Sequence, residues 1–241
     1  MRPQPEVLVL APMRSELRPV VRALSAHRDV AGGIDVHRGE VAGTSAVAAL
    51  IGVGPQAARR STERLLEVLT VTHVLVSGIC GGIGPASAVG DTVVPETVVD
   101  LASGRSYRSS PCPGTPSAGI LATVDELILD VDRLTSLAEQ GIIALDMETA
   151  AVAAVCQANA VAWSAFRVVS DRPTDGLLDE GIMSMLRADG STDPRAALRY
   201  VAAHPARVPA LVRLGRDAAS AATAAARVTV RAASSLKTGS R

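Results

Sequence analysis

The sequence predicts a single α/β domain with a central mixed, largely parallel sheet flanked by helices. Short apolar segments alternate along the chain with segments of helical periodicity, which is the pattern of a sheet covered by helices. Hydrophobic residues make up 48% of the 241 residues but aromatic residues only 2%, so closely packed aliphatic side chains should form the core. We assign residues 1–233 to this domain and expect residues 234–241 to be disordered.

The N-terminal half begins with a strand–loop–helix unit. An apolar strand over Glu6–Ala11 ends at Pro12, and apolar residues at helical spacing predict a helix over Ser15–Leu24. The later elements are strands over Ile34–Arg38 and Ser45–Gly52 joined by a hairpin at Gly39–Gly43, a helix over Gln56–Leu69, an apolar strand over His73–Ser77, a glycine-rich turn over Gly78–Pro85 and a strand over Thr92–Pro95.

Two irregular segments interrupt the C-terminal half. Residues 102–118 are rich in Ser, Pro and Gly, and we expect this loop to become ordered when a ligand binds. The second irregular segment is Arg172–Asp179. The regular elements are a helix over Asp130–Gln140, a strand over Ile142–Leu145, a helix over Glu148–Asn159, a strand over Ala162–Val169 and an Ala- and Arg-rich helical tail over Pro194–Arg231.

Composition and sequence pattern argue against a nucleic-acid-binding protein, a membrane-inserted protein and a cysteine-based metal site. The 24 basic and 24 acidic residues balance, whereas a nucleic-acid-binding protein usually has a basic excess. We find no run of about 18 apolar residues and no signal peptide, so we expect a cytoplasmic protein without stable membrane insertion. The three cysteines lack a C-x-x-C pair, which predicts buried thiols and no metal site.

Three acidic segments adjoin predicted buried elements, where an ionised side chain is costly unless it has a function. A structural explanation exists for each of them. The helix macrodipole favours an acid such as Glu148 in a first helical turn, and Asp171 could form a turn before Pro173. The three segments are Met13–Glu16, Asp146–Glu148 and Ser170–Asp171.

An arginine and a glycine-rich segment complete the set of candidate features. Arg167 lies inside an apolar strand, and a buried Arg needs an anionic partner, either a protein carboxylate or a phosphate. The glycines of Gly78–Gly84 match neither G-x-x-x-x-G-K-[ST] nor G-x-G-x-x-G, so we do not expect an NTP or dinucleotide fold. This segment is either a structural tight turn or a loop whose amides cradle a ligand.

Five short motifs occur in a fixed order between residues 6 and 175. They are Ala11–Glu16, Gly78–Gly82, Val89–Val94, Asp146–Ala151 and Arg167–Asp171. Together they resemble the nucleoside phosphorylase/nucleosidase superfamily, and most closely the methylthioadenosine/S-adenosylhomocysteine nucleosidases. Each motif alone is weakly specific, whereas five in family order are strongly so. The C-terminal segments Ala188–Gly190, Ala196–Leu198 and Pro205–Arg216 resemble hopanoid-associated nucleoside phosphorylases.

The resemblance implies a role for each matching residue and requires neither a metal nor an organic cofactor. Asp171 would be the general acid at purine N7, supported by Ser170, and Glu16 would orient or deprotonate the attacking water. Glu148 would hold the ribose hydroxyls, and Met147 would pack against the sugar. The other residues that the resemblance places at the substrate are Ile79, Cys80, Gly81, Arg167 and, near the base, Ile128 together with Leu127.

Two departures from the phosphorylases favour water over phosphate as the nucleophile. Their phosphate-binding Gly-Asp-Pro-x-Arg element is replaced here by Ala11–Glu16, and Ile79 replaces a hydroxyl residue. We therefore predict an N-ribosyl hydrolase of a 5′-modified, adenosine-type nucleoside such as methylthioadenosine or S-adenosylhomocysteine. The alternatives are a phosphorylase of a 5′-substituted adenosine, including a hopanoid-linked one, a futalosine-type hydrolase, and a nucleoside-sensing binding protein.

The resemblance also implies partners for the chain. Members of the superfamily form dimers or larger oligomers in which a second chain often completes the 5′ end of the pocket, so a homo-oligomer is expected. The Arg-lined C-terminal helix either makes peripheral contact with a membrane surface or is solvated on one face and packed on the other.

Overall fold

Eleven strands form one mixed sheet in the computed structural model, which describes residues 7–173, 182 and 193–236. The predicted fold class is therefore confirmed. The strands are β1 (Val7–Ala11), β2 (His27–Ala31), β3 (Ile34–Val41), β4 (Thr44–Leu50), β5 (His73–Gly82), β6 (Thr92–Val93), β7 (Thr97–Asp100), β8 (Ser106–Arg108), β9 (Ile120–Thr123), β10 (Ile142–Asp146) and β11 (Ala162–Asp171). The helices in these residues are α1 (Arg14–Ala23), α2 (Pro55–Val68), α3 (Val131–Glu139), α4 (Thr149–Ala158), α5 (Pro194–Ala203) and α6 (Val208–Ser235).

The order of the strands brings the ends of three of them together. The sheet runs β2-β3-β4-β1-β5-β10-β9-β7-β8, and β11 pairs with β5 and β6. Strands β1 and β11 both pair with β5 in parallel, so their carboxyl ends lie on the same side. Strand β10 meets the end of β5 in the antiparallel direction, which makes the sheet mixed.

Helices cover both faces of the sheet. In β1, Leu8 and Leu10 belong to the apolar cluster that contains α2 and α4, whereas Val7 and Val9 belong to the cluster that contains α1 and the end of α6. All five residues of β1 are buried for this reason. An aliphatic core of this kind, with small alanines on the helices, is what the composition predicted.

The glycine-rich segment is a strand where the sequence predicted a turn. Strand β5 continues from His73 to Gly82 because β11 is equally long and pairs with it as far as Gly81. The chain turns only afterwards, at Gly84, whose φ is +80°. A turn or loop conformation is therefore wrong for Gly78–Gly82, whereas contact between this segment and a ligand stays a prediction.

Other differences concern short or polar strands. Strand β2 is a polar edge strand, and β7 and β9 have four residues each, so none of them has a clear alternating pattern. Segment 102–118, predicted to be a loop that orders on binding, already contains β8 paired with β7. The hairpin between β3 and β4 is tighter than predicted and turns at Ala42 and Gly43, both with positive φ.

The helical tail consists of two helices, α5 and α6, separated by a short 3₁₀ turn at Pro205–Arg207. Helix α6 continues to Ser235, two residues into the segment predicted to be disordered. No helix within the described ranges is long and apolar enough to cross a membrane. Residues 174–179 of the predicted irregular segment, the motif at 188–190 and residues 237–241 lie outside the described residues.

Candidate active site

The antiparallel meeting of β5 and β10 assembles the site. Leu145 pairs with Gly81, so the chain that follows it is directed back along β5 toward Gly78. On the other edge of β5, Gly78 pairs with Arg167 of β11. The acidic segment after β10 and the arginine of β11 therefore meet at the same stretch of β5.

Arg167 is the centre of this arrangement and is completely buried. Its Nη2 atom lies 2.5 Å from Oδ2 of Asp146 and 3.4 Å from Oε2 of Glu148. The guanidinium also donates to Oγ1 of Thr149 at 3.0 Å and to the carbonyl oxygen of Ile79 at 3.4 Å. The anionic partner required by a buried arginine is thus supplied by protein carboxylates, one of the two possibilities that the sequence left open.

Glu16 enters the site from the first turn of α1. Its Oε2 atom accepts the backbone N–H of Met13 at 2.8 Å, and Oε1 accepts the backbone N–H of Ile79 at 2.8 Å. Burial raises the pKa of Glu16 to about 7, although Arg167 and the two amide hydrogen bonds act in the opposite direction. Ile79, which lacks the expected hydroxyl group, contributes to the site through its backbone amide and carbonyl.

Glu148 lies directly before α4 and reaches across to the start of α2. Its Oε1 atom accepts the backbone N–H of Gly54 at 2.9 Å. Gly54 has a φ of +88°, a conformation that favours glycine, and it is a site residue that the sequence did not predict. Burial raises the pKa of Glu148, Arg167 lowers it, and the negative charge of Asp146 raises it further.

Asp171 and Ser170 occupy the end of β11. The Ser170 hydroxyl lies 2.5 Å from Oδ1 of Asp171 and 3.3 Å from the carbonyl oxygen of Cys80, so it can donate to either. A Cβ atom on Gly81 would lie 3.8 Å from Oδ2 of Asp171, which places this carboxylate against the glycine-rich end of β5. Asp171 is only partly buried, unlike Glu16 and Glu148.

An apolar cluster forms the neighbouring wall. Ile128 is buried in this cluster, and Met147 packs against it from the segment between β10 and α4. Cys80 is buried on β5, and burial raises the pKa of its thiol. Asp146, Asp171 and Glu16 raise this pKa further and Arg167 lowers it, so Cys80 lies within electrostatic reach of all three acidic segments.

Asp146 is the site residue to which sequence reasoning gave no role of its own. Its Oδ1 atom accepts the Thr123 hydroxyl at 2.7 Å, and its carboxylate also accepts the backbone N–H and the hydroxyl of Thr149. The available signal was its place in the acidic segment Asp146–Glu148, directly after a predicted buried strand. Among the residues that the structure describes, no three His, Cys, Asp or Glu side chains could together hold a metal ion.

Replacing Gly78 by Ala should destabilise the fold, because the new Cβ atom would lie 2.4 Å from both Nη1 of Arg167 and Oε1 of Glu16. Both atoms are held by buried partners and have little room to move. We expect the free energy of unfolding to fall by about 1–3 kcal/mol in chemical denaturation. Gly215→Ala is the matched control, since nothing lies within 4 Å of its Cβ position, and it should not destabilise the protein. Equal unfolding energies for the two variants would contradict the crowded geometry at Gly78.

Comparison with known proteins identifies relatives along most of the chain. A 5′-methylthioadenosine/S-adenosylhomocysteine nucleosidase of Bacillus thuringiensis subsp. konkukian is 26% identical over 197 residues, which cover 68% of this chain and 85% of the relative. The Neisseria meningitidis nucleosidase of the same name, solved with methylthio-immucillin-A, has a TM-score of 0.72 at 19% identity. The two structures align over 96% of this chain and 99% of the Neisseria chain.

A futalosine hydrolase of Helicobacter pylori has the same fold, with a TM-score of 0.69 at 18% identity, and covers 95% of this chain and 97% of its own. A family model described as the phosphorylase superfamily matches residues 6–118 and 114–202. This match spans well over half of the sequence, and the protein accordingly belongs to the phosphorylase superfamily.

Proposed function

We propose that the protein is an N-ribosyl hydrolase that cleaves the glycosidic bond of a 5′-modified purine nucleoside of the adenosine type, such as methylthioadenosine or S-adenosylhomocysteine. The observation that carries the proposal is the buried carboxylate of Glu16, held by two backbone amides beside the Arg167 network. Asp171 lies at the other end of the same stretch of β5. The nucleosidases named above support the adenosine-type substrate.

Asp171 is the general acid in this proposal. Cleavage of the bond between C1′ and N9 leaves the bonding electron pair on the purine, and Asp171 donates a proton to N7 so that the base leaves neutral. A well-placed acid of this kind contributes roughly 10²–10⁴-fold to the rate. The Ser170 hydroxyl, 2.5 Å from Oδ1, fixes the orientation of the carboxyl group.

Glu148 stabilises the sugar as positive charge develops on it. Loss of the base gives the ribose oxocarbenium character, and a buried carboxylate near the ribose hydroxyls stabilises this charge in an environment of low dielectric constant. The hydrogen bond from Gly54 and the ion pair with Arg167 hold Glu148 in place. Met147 packs against the sugar, and Ile128 lies in the apolar wall proposed to be near the base.

Glu16 activates water in this proposal. A water oxygen adds to C1′, its proton passes to Glu16, and the products are free base and the reducing sugar. A general base works best when its pKa lies near the working pH, and burial raises the pKa of Glu16 to about 7. Phosphate is a poor fit at the same place, because Glu16 would repel an anion and the guanidinium of Arg167 already contacts Asp146 and Glu148.

Free base released by the purified protein tests the proposal. The substrates are methylthioadenosine, S-adenosylhomocysteine, adenosine, inosine and futalosine, each with and without phosphate. We expect release from the two 5′-modified adenosines without phosphate. Strict dependence on phosphate would show that the protein is a phosphorylase. Preference for futalosine would show that the proposed substrate is wrong. Tight binding without release of base would indicate a nucleoside-sensing protein.

The activity should depend on pH through Glu16. Its base form must be ionised in the free enzyme, and its pKa is raised to about 7, so kcat/KM should fall as the pH decreases below about 7. Glu148 and Glu16 both interact with Arg167, so the acidic limb of the profile reports the ionisation of the two glutamates together. A profile from pH 4.5 to 9 with methylthioadenosine measures it. A limb centred near 4.5, the ordinary pKa of Glu, would contradict the role of Glu16.

Two other expectations remain predictions, a homo-oligomer and a cytoplasmic location, and a third point remains open: the C-terminal helices either contact a membrane surface or are solvated on one face and packed on the other. Light scattering of the purified protein would measure the first, and cell fractionation the second. For the third, the exposed apolar side chains Leu198 on α5 and Val212 on α6 are the residues to replace in a vesicle-sedimentation assay.

A further inference from the structure

Two buried charged residues, Asp146 and Arg167, have no direct step in the proposed reaction. Their side chains are 1% and 0% exposed and form an ion pair at 2.5 Å. A buried ion pair of this kind adds little net stability, since the cost of removing both charges from water offsets their attraction. Their position inside the site therefore calls for a different explanation.

Arg167 faces three carboxylates. Asp146 is nearest, Glu148 follows at 3.4 Å, and Glu16 lies across Gly78. Nη1 of Arg167 and Oε1 of Glu16 are each 2.4 Å from the Cβ position of Gly78, so the two atoms are neighbours. The single positive charge of Arg167 thus lies near three carboxylates that can each become negative.

This imbalance determines how readily the two glutamates ionise. If all three carboxylates were ionised, the buried cluster would carry a net charge of −2, which is costly in a medium of low dielectric constant. Without Asp146, the arginine would stabilise the ionised glutamates more strongly and make Glu16 a weaker base. Without Arg167, the glutamates would keep their protons at neutral pH.

We propose that Asp146 and Arg167 are positioning residues that set the proton affinity of Glu16 and Glu148 so that Glu16 accepts a proton at neutral pH. The reason for this proton transfer, the activation of water by Glu16, depends on the function proposed above. Four contacts hold Asp146 in place, from the hydroxyl groups of Thr123 and Thr149, the Thr149 amide and Arg167. The ion pair is consequently fixed relative to both glutamates.

The titratable groups near Glu16 in the described site come from β5, from the end of β10 with the residue before α4, and from β11. Asp146 and Glu148 lie at the end of β10 and before α4, Arg167 and Asp171 on β11, and the Cys80 thiol on β5. Burial keeps the pKa of Cys80 above its usual range, so the thiol stays neutral at the working pH. The two substitutions described below change the charge of Asp146 or of Arg167 and of no other group.

Two substitutions should move the acidic limb of the kcat/KM profile in opposite directions. Asp146→Asn removes a negative charge, so the limb should shift to lower pH. Arg167→Met removes the positive charge, so the limb should shift to higher pH. A charge at this distance changes a pKa by about 1–3 units, which is the expected size of each shift. In both variants kcat should fall by up to about 10²-fold at its optimum because Glu148 and Glu16 lose their alignment.

Arg167→Lys and Ser164→Ala are the controls. Lysine keeps the positive charge with fewer hydrogen bonds, so the limb should shift much less than in Arg167→Met even where kcat falls. Ser164 is buried at the other end of β11 and contacts His73 at 2.9 Å. Its replacement should lower stability without moving the limb. A purely structural role for the ion pair predicts the same limb in every folded variant, or shifts in one direction.

Carboxyl chemical shifts of ¹³C-labelled glutamate, followed against pH, make the test independent of turnover. The wild-type protein should contain two glutamates that titrate well above the ordinary range, and these should move down in Asp146→Asn and up in Arg167→Met. If the protein releases no base from any nucleoside but these shifts occur, the proposed function fails and the charge coupling stands. Glutamates that all titrate near 4.5 in the wild type would overturn the coupling even if neither variant folds.

Discussion

Replacing Asp171 by Asn is expected to reduce the release of purine base by about 10²–10⁴-fold while the protein remains folded. Asn has nearly the same shape and can still accept the Ser170 hydrogen bond, but it has no proton to give to N7. The rate of base release from methylthioadenosine at saturating substrate, together with circular dichroism, measures both parts of this result.

The leaving group provides a sharper version of this experiment. A riboside of p-nitrophenol needs no protonation to depart, so Asp171→Asn should impair its hydrolysis much less than that of the purine nucleoside. Asp35→Asn is the matched control, because Asp35 is an exposed carboxylate paired with Arg28 at the surface, and it should leave both rates unchanged. Equal losses of hydrolysis rate on both substrates, or unchanged turnover of the nucleoside, would show that Asp171 is not the general acid.

Replacing Glu16 by Gln is the second substitution with a large expected effect. Gln fills the same space but cannot take the proton of the attacking water, so single-turnover hydrolysis should slow by about 10²–10⁴-fold. The dissociation constant for the nucleoside should change little, because Glu16 acts on water in the proposal while Glu148 holds the ribose. Stopped-flow mixing and equilibrium binding separate the two quantities.

The local hydrogen bonds predict a stability cost for the same variant. Both carboxylate oxygens of Glu16 accept a backbone N–H, from Met13 and Ile79, and Gln can satisfy only one of them. The unpaired amide should lower the free energy of unfolding by about 1–3 kcal/mol. Glu40→Gln, at an exposed position, should change neither rate nor stability. A Glu16→Gln variant that hydrolyses normally would show that another group activates the water.

The strands and helices that carry the site were largely predictable because their patterns are local. The apolar run of β1, the helical period of α1 and the apolar run of β11 each indicate an element without reference to the rest of the chain. The costly position of Arg167 within a strand likewise required an anion near it, and Asp146 and Glu148 meet that requirement.

The features that sequence reasoning missed depend on contacts between distant segments. The glycines of β5 look like a turn, and only the meeting of Glu16 and Arg167 at Gly78 shows why a strand needs glycine there. The sequence indicated no role for Asp146, which becomes evident only where the antiparallel pairing of β10 brings its carboxylate to Arg167. Gly54 carries no signal of its own, since its role is a backbone amide pointed at a residue 94 positions away.

The origin of the oxygen on the sugar product tests the account most directly. When the purified protein acts briefly on methylthioadenosine in H₂¹⁸O with phosphate present, mass spectrometry should find one ¹⁸O atom at C1 of a free reducing sugar, well above the label that the unlabelled sugar gains by exchange in the same time. This outcome identifies water as the nucleophile. A sugar 1-phosphate without the label would instead show that phosphate attacks C1′, and would contradict the assignment of this site as a hydrolase.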